Sequence, residues 1–228
     1  MVAKLLQTKL AVLALCWAGL MFAGQAQASC TAPVATADEA AISPYQLIAT
    51  VTDEVLAEID RHRAERDDSA EEALKEQQFD CFVAQVDRIL DKVVAFDWIA
   101  LKVMGGYGKA ASAEQKAQFA EAFRNGLVDT YGRGLLSYSS EKIVLLPEEE
   151  IGDKRKITVR QQIVGAEATY PLEYTMGLKD GQWKVLNVVI NGINLGKTFR
   201  GQFTQSSQKN AGDIDKVIAS WDSGINNG

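Results

Sequence analysis

The chain has 228 residues, 47% of them hydrophobic and 24% charged, with 24 Lys and Arg against 30 Asp and Glu. That much apolar material supplies a core for one domain, with or without an appendage. The acidic balance excludes the basic footprint of a nucleic-acid binder, and that of a protein held on anionic lipid by a basic patch.

Lys4 and Lys9 flank the start of an apolar run, Leu10 to Ala23, that is too short to span a bilayer comfortably. Ala26-Gln27-Ala28 then places small residues around a cleavage point, so residues 1–28 are read as a secretory signal removed on export. A lipoprotein signal ending at Cys30 is the alternative, although Gln27 stands where such signals usually carry leucine. Loss of Lys4 and Lys9 leaves 22 basic residues against 30 acidic, a net charge near −8. Cys16 leaves with the signal. Cys30 and Cys81 remain, an even number in an oxidising compartment. They either close one disulfide that pins the N-terminal tail or, since Cys81 sits in an apolar helix pattern, leave it as a buried thiol.

Residues 29–43 are small and weakly patterned, as in a flexible leader. Ser43-Pro44 with Gln46 forms a capping box that starts the first helix, carried by Ile48, Val51, Val55 and Ile59 at helical spacing. From Asp53 to Glu76 ten acidic residues face four basic ones, which reads as a solvated helix face with a turn at Asp67-Asp68-Ser69, or as a docking surface for a basic partner. His62 lies in this polar stretch without a second histidine or ligand-spaced cysteine, so it reads as a surface residue and no metal site is expected. A second amphipathic helix spans roughly 70–94, and Asp97 is the expected cap of a short helix holding Trp98, Ile99, Val103 and Met104.

Gly105-Gly106-Tyr107-Gly108-Lys109 invites comparison with a phosphate loop. Lys109 is followed by Ala110 rather than Ser or Thr, and Gly106-x-Gly108-x-x-Ala111 follows a helix rather than a strand, so the cluster reads as a helix-to-helix turn and no nucleotide cofactor is implied. Ser112 and Gln115 form another capping box. Beyond it Phe119, Phe123, Leu127, Tyr131 and Leu135 recur every four residues, a broad stripe that must face something apolar.

After Tyr138 the period changes to two. Lys142 to Leu146, Lys156 to Val164, Tyr170 to Leu178 and Trp183 to Asn191 are strand-length, β-branched and separated by turn signals such as Lys179-Asp180-Gly181. Ile157, Val159 and Ile163 share one face, as do Tyr170, Leu172, Tyr174, Met176 and Leu178, with Thr158, Arg160, Gln162, Glu173 and Thr175 opposite. The last strand is ambiguous, because Val185 and Val189 oppose Leu186, Val188 and Ile190. Leu195, Phe199 and Phe203, then Ile214, Val217, Ile218 and Trp221, return to helical spacing before a tail at 224–228. The order predicts one α+β domain over 44–223, its helices packed on a curved, roughly four-stranded antiparallel sheet.

Catalytic signals are thin. No G-x-S-x-G elbow or zinc spacing occurs, and Glu148-Glu149-Glu150 follows Pro147 in a loop, where carboxylates are solvated.

Two ordered blocks carry a resemblance. Phe96-Asp97-Trp98-Ile99-Ala100, Val103-Met104-Gly105-Gly106-Tyr107 and Ser112-Ala113-Glu114-Gln115 with Phe119, Phe123-Arg124, Leu127 and Tyr131 form the first. Trp183-Lys184-Val185 through Asn191-Gly192-Ile193-Asn194-Leu195 to Phe199-Arg200-Gly201-Gln202-Phe203 forms the second. Together they resemble the toluene-tolerance family of MlaC-type periplasmic phospholipid-binding proteins. The chain departs from that pattern at Val94-Ala95, where a proline is usual, at Asn191 in place of aspartate, and at Phe199 in place of tyrosine.

The resemblance implies a non-enzymatic periplasmic carrier. Such a carrier moves phospholipid between an outer-membrane lipoprotein complex and an inner-membrane ABC transporter complex with MCE-domain subunits, maintaining outer-membrane lipid asymmetry. The candidate tail contacts are Met104, Tyr107, Phe123, Leu127 and Tyr131 from helices, with Val159, Ile163, Leu172, Tyr174, Met176 and Val188 from the sheet. Arg124, Lys197 and Arg200 are the weaker candidates for the phosphate end. Each apolar candidate also suits an ordinary core, and two rival classes stay open: an enzyme using a carboxylate and a tyrosine around Asp97 and Tyr107, and an adaptor working through its acidic helix.

Overall fold

Local hydrogen bonding sets the helix starts. The computed structural model describes residues 42–67, 69–138 and 141–224, with side chains to Trp221. Residues 1–41, which hold the expected signal segment and Cys30, lie outside it, as do Asp68 of the expected turn, residues 139–140 and residues 225–228. The Ser43 hydroxyl accepts from the Gln46 N–H at 3.1 Å and the Gln46 side chain accepts from the Ser43 N–H at 3.1 Å, which opens α1 (Pro44–Glu65). α2 (Glu72–Val93) packs along α1 after the acidic turn. Cys81 on α2 is disulfide-bonded.

α3 (Phe96–Met104) starts differently from expectation. Its N-cap is Ala95, whose N–H is taken by Val185 O at 3.1 Å, and Asp97 sits inside the first turn, where a carboxylate complements the helix dipole without capping. Gly105 then takes φ +57°, a left-handed turn that a side chain disfavours, before α4 (Tyr107–Ala110). α5 (Ala113–Leu135) is opened by the reciprocal Ser112 and Gln115 bonds, both 3.0 Å.

The sheet is an antiparallel meander in the order β1 (Lys142–Leu145), β2 (Lys156–Val164), β3 (Thr169–Lys179), β4 (Gln182–Ile190), β5 (Ile193–Asn194). It has one strand more than the sequence suggested. Asp180-Gly181 (φ +50° and +84°) and Asn191-Gly192 (φ +49° and +81°) are two-residue turns with both central residues left-handed, the geometry that matches strand twist. The second of these turns makes the short β5, from which α6 (Leu195–Lys209) and α7 (Ile214–Gly224) follow.

Register explains the ambiguous strand. Ile157, Val159, Gln161 and Ile163 pair with Met176, Tyr174, Leu172 and Tyr170, so the two faces read from β2 and β3 are one face. In β4, Met176 opposes Val185 but Thr175 opposes Asn187, leaving Leu186 as an extra residue. This bulge reverses the alternation, so Val185 before it and Val188 after it both turn to the helices. Leu186 lies on the outer face over Gly177, where an added Cβ would meet its Cδ1 at 2.4 Å.

Two hydrophobic clusters result. The helical one centres on Phe119, Phe123, Phe203 and Trp221, with edge-on ring pairs such as Phe119 to Phe203 at 4.8 Å and Phe119 to Trp221 at 5.1 Å. The other joins Tyr45, Leu47 and Ile48 of α1 and Val93 of α2 to Val159, Met176 and Val185 of the sheet. Val94 packs against both. His62 is not a surface residue: it is 9% exposed and its ring lies 5.0 Å from that of Phe82, because the apolar face of α1 extends one turn beyond Ile59.

Candidate functional site: an apolar cavity between helices and sheet

The two clusters do not close on each other completely. Between them lies a cavity of about 170 Å³. α1 contributes Ile48, Val51 and Thr52; α2 and its exit contribute Leu90, Val93 and Val94; α3 contributes Phe96 and Ile99. Phe123, Leu127 and Tyr131 come from α5, Tyr174, Val185, Asn187 and Val188 from the sheet, and Leu195, Gly196 and Phe199 from the start of α6. The four-residue period of α5 accounts for its share. Phe119 is locked in the aromatic cluster, while Phe123, Leu127 and Tyr131 continue along the same face past its edge, where Phe199 meets Phe123 edge-on at 5.3 Å. Tyr131 is 37% exposed and marks an open side.

Five of the sequence-derived tail contacts, Phe123, Leu127, Tyr131, Tyr174 and Val188, therefore border this cavity. The other six sit elsewhere. Met104 is buried in the helical cluster and Tyr107 packs on Phe203 with ring centres 6.0 Å apart. Val159 and Met176 are fully buried in the sheet cluster, and Leu172 is buried on β3. Ile163 pairs with Ile143 and Tyr170 near the β1 end of the sheet. The cations stand outside the cavity. Lys197 and Arg200 are exposed, and Arg200 lies against Gly105, where an added Cβ would come within 3.0 Å of its Nε. Arg124 donates to both oxygens of Asp87 at 2.6 and 2.8 Å and also to Asp91. Asp97 borders a surface trough rather than the cavity.

One polar feature of the wall escaped the sequence reading. The Tyr174 hydroxyl donates to Gln161 Oε1 at 3.0 Å, Gln161 Nε2 donates to Thr52 Oγ1 at 2.9 Å, and Thr52 Oγ1 donates to Ile48 O at 2.7 Å. Gln161 is 2% exposed, so this chain stitches β3, β2 and α1 together within an apolar setting and satisfies every link. Burial pushes the Tyr174 hydroxyl well above its ordinary range, and that of Tyr131 upward as well, so both stay neutral. The clue was present: Gln161 falls between Val159 and Ile163 on the inward parity of β2. At the rim, Asn187 Oδ1 accepts from the Gly196 N–H at 3.1 Å.

Among the described residues no group of three or more His, Cys, Asp or Glu is placed to hold a metal, and no helix is long and apolar enough to cross a membrane. A wall of aliphatic and aromatic side chains with neutral hydroxyls and one amide can hold an uncharged alkyl chain; it offers no nucleophile beside a base.

The family model described as MlaC protein matches residues 49–223. The chain belongs to the MlaC family. It is similar to the toluene tolerance protein Ttg2D of Pseudomonas putida, 33% identical over 184 residues, 80% of this chain and 81% of that one. It is also similar to the intermembrane phospholipid transport system binding protein MlaC of Haemophilus influenzae, 29% identical over 157 residues, 67% of this chain and 69% of that one. The fold matches that of the phospholipid-binding protein from Ralstonia solanacearum, solved in complex with a phospholipid, with a TM-score of 0.68 at 21% identity over 81% of this chain and 98% of that one. This MlaC-family chain thus shares its α+β architecture with a protein seen holding lipid.

Proposed function

We propose that the chain is a periplasmic phospholipid carrier that withdraws acyl tails into the cavity between its helices and its sheet. It would pass them between an outer-membrane lipoprotein complex and an inner-membrane ABC transporter complex with MCE-domain subunits. The observation that carries this reading is the largely apolar cavity wall, built by five helices and two strands with no Lys or Arg in its lining, while Arg124, Lys197 and Arg200 stand outside it. Two of the similar proteins are named for phospholipid binding or transport, which supports the same ligand class here.

The energetics favour handover by docking. Two tails with around 30 methylenes, at about 0.8 kcal/mol each, place on the order of 24 kcal/mol against release into water, so a partner must continue the apolar path. The headgroup would stay at the open side near Tyr131, since no cationic side chain lines the cavity to pair with a phosphate. A resting volume of about 170 Å³ lies below the roughly 300–1,000 Å³ of pockets that engulf small molecules, so loading would part the two clusters further.

Native mass spectrometry of the protein purified from its periplasm, followed by lipid extraction, tests the reading. Diacyl phospholipid at near one per chain is the expected result. A protein that stays empty after incubation with phospholipid vesicles would overturn it.

A further inference from the structure

Phe96 opens α3 and is 5% exposed, yet it borders empty space in more than one direction. Its ring faces the internal cavity beside Ile99 and Phe123. Phe96 also borders a surface trough of about 450 Å³ between α3 and α5, where Leu101, Ala117 and Ala120 are its apolar neighbours. Leu101 is 43% exposed there. Phe96 therefore borders both the internal cavity and an open trough lined by four apolar and four charged residues.

What holds that side chain is specific. The guanidinium of Arg124 lies over the Phe96 ring, 5.3 Å from its centroid. Arg124 is itself fixed by its twofold contact with Asp87 and its contact with Asp91, both on α2. Consecutive residues of α5 thus border the two spaces, Phe123 lining the cavity and Arg124 lying over the Phe96 ring and lining the trough.

We propose that Phe96 is a movable partition through which an alkyl chain that outgrows the cavity continues into the trough between α3 and α5, with Arg124 as the positioning residue that keeps the ring closed. The inference rests on the carrier reading above. The occupant is an alkyl chain rather than a phosphate, because the charge of Arg124 is already met by two carboxylates. Asp97, Lys116 and Glu121 around the trough add no net attraction for an anion. The cavity alone is small for such a ligand, and turning one aromatic side chain to another rotamer is the least rearrangement that joins the two spaces.

Photolabelling tests this directly. The mature protein is loaded from vesicles containing a phosphatidylethanolamine with a diazirine near the end of one acyl chain, irradiated, and mapped by peptide mass spectrometry. Adducts on the trough residues Leu101, Ala117 or Ala120, in addition to cavity residues such as Leu127, are expected. Arg124→Gln should raise the trough share about three- to fivefold, the population shift expected from loss of a partly exposed ion pair, and Phe96→Trp should lower it. Adducts confined to the cavity in the unaltered protein and in Arg124→Gln would overturn the partition while leaving the carrier reading intact. A protein that takes up no lipid would remove both.

Discussion

Asn187 Oδ1 accepts the Gly196 N–H at 3.1 Å, which ties the bulge of β4 to the first turn of α6 at the cavity rim. The close approach depends on the missing side chain, because a Cβ on Gly196 would lie 2.6 Å from that oxygen. Gly196→Ala should therefore displace Asn187 and cost about 1–3 kcal/mol, the usual range for overpacking. Asn187→Ala, which only removes an acceptor at a helix start, should cost about 1 kcal/mol. Urea unfolding of both variants checks the order, and equal stability of Gly196→Ala and the unaltered protein would contradict it.

The chain from Tyr174 through Gln161 to Thr52 makes a sharper prediction. Gln161→Ala strands the Tyr174 hydroxyl, removes one donor to Thr52 Oγ1, which keeps its bond to Ile48 O, and leaves a small cavity, so it should cost about 2–4 kcal/mol. In Gln161→Leu, adding Tyr174→Phe removes one stranded group, so the double variant should be at least as stable as Gln161→Leu alone. A double-mutant cycle measures this coupling, and strict additivity would show that the chain contributes nothing as a unit.

Cavity and core residues should respond differently to added bulk. Leu127→Trp and Val188→Trp face the cavity and should reduce bound lipid several-fold, with stability changed by no more than about 1.5 kcal/mol. Val159→Trp falls in the closed sheet cluster and should instead destabilise the fold by about 3 kcal/mol or more. Lipid stoichiometry measured beside the thermal midpoint separates the two outcomes.

The contrast between Leu127 and Val159 also shows what could be read from sequence. Capping boxes are local hydrogen bonds between residues three apart, so the starts of α1 and α5 were legible to the residue. Period-two alternation located the inward faces of β2 and β3 for the same reason. β4 was not legible, because the bulge at Leu186 reverses its phase and depends on the neighbouring strand. The cavity was only half legible. Periodicity says that Met104, Val159 and Leu127 all point inward, but not whether the opposing layer touches them. Phe96, Leu195 and Phe199 also line the gap, and their places depend on how α3 and α6 pack, which is tertiary rather than local information. His62 was misread because its neighbours Arg61 and Arg63 are polar, while its own position continues the stripe of Ile59.

His62 gives the pH dependence. Burial, with Arg66 and Arg61 adding to it and Glu58 and Glu65 opposing, holds its folded pKa below the ordinary value of about 6.5. A depressed folded pKa means that the unfolded chain binds the proton more readily, so stability is complete above about pH 6.5 and falls as the pH drops through the folded pKa. The facing ring on α2 is Phe82, which offers the imidazolium no carboxylate. His62→Phe should lose the part of the acid sensitivity that lies just below pH 6.5, as read by urea midpoints on either side of that value. An unchanged slope would assign it to other groups.

Cys81 bears on the N-terminal segment. Peptide mapping without reduction should recover Cys81 linked to Cys30, and reduction should lower stability by about 2–4 kcal/mol. A free Cys30 thiol in the exported protein would refute that pairing.

The two-residue strand β5 has a consequence for solubility. An open sheet risks presenting a bare edge to a second molecule, the usual route to fibrous association. Here the Asn191-Gly192 turn folds β5 back over the end of β4 and leads straight into α6, so that part of the edge is already occupied. The opposite edge, β1, is only four residues long and begins with a lysine. Short and partly covered edges of this kind leave second copies of the chain little strand to grow on.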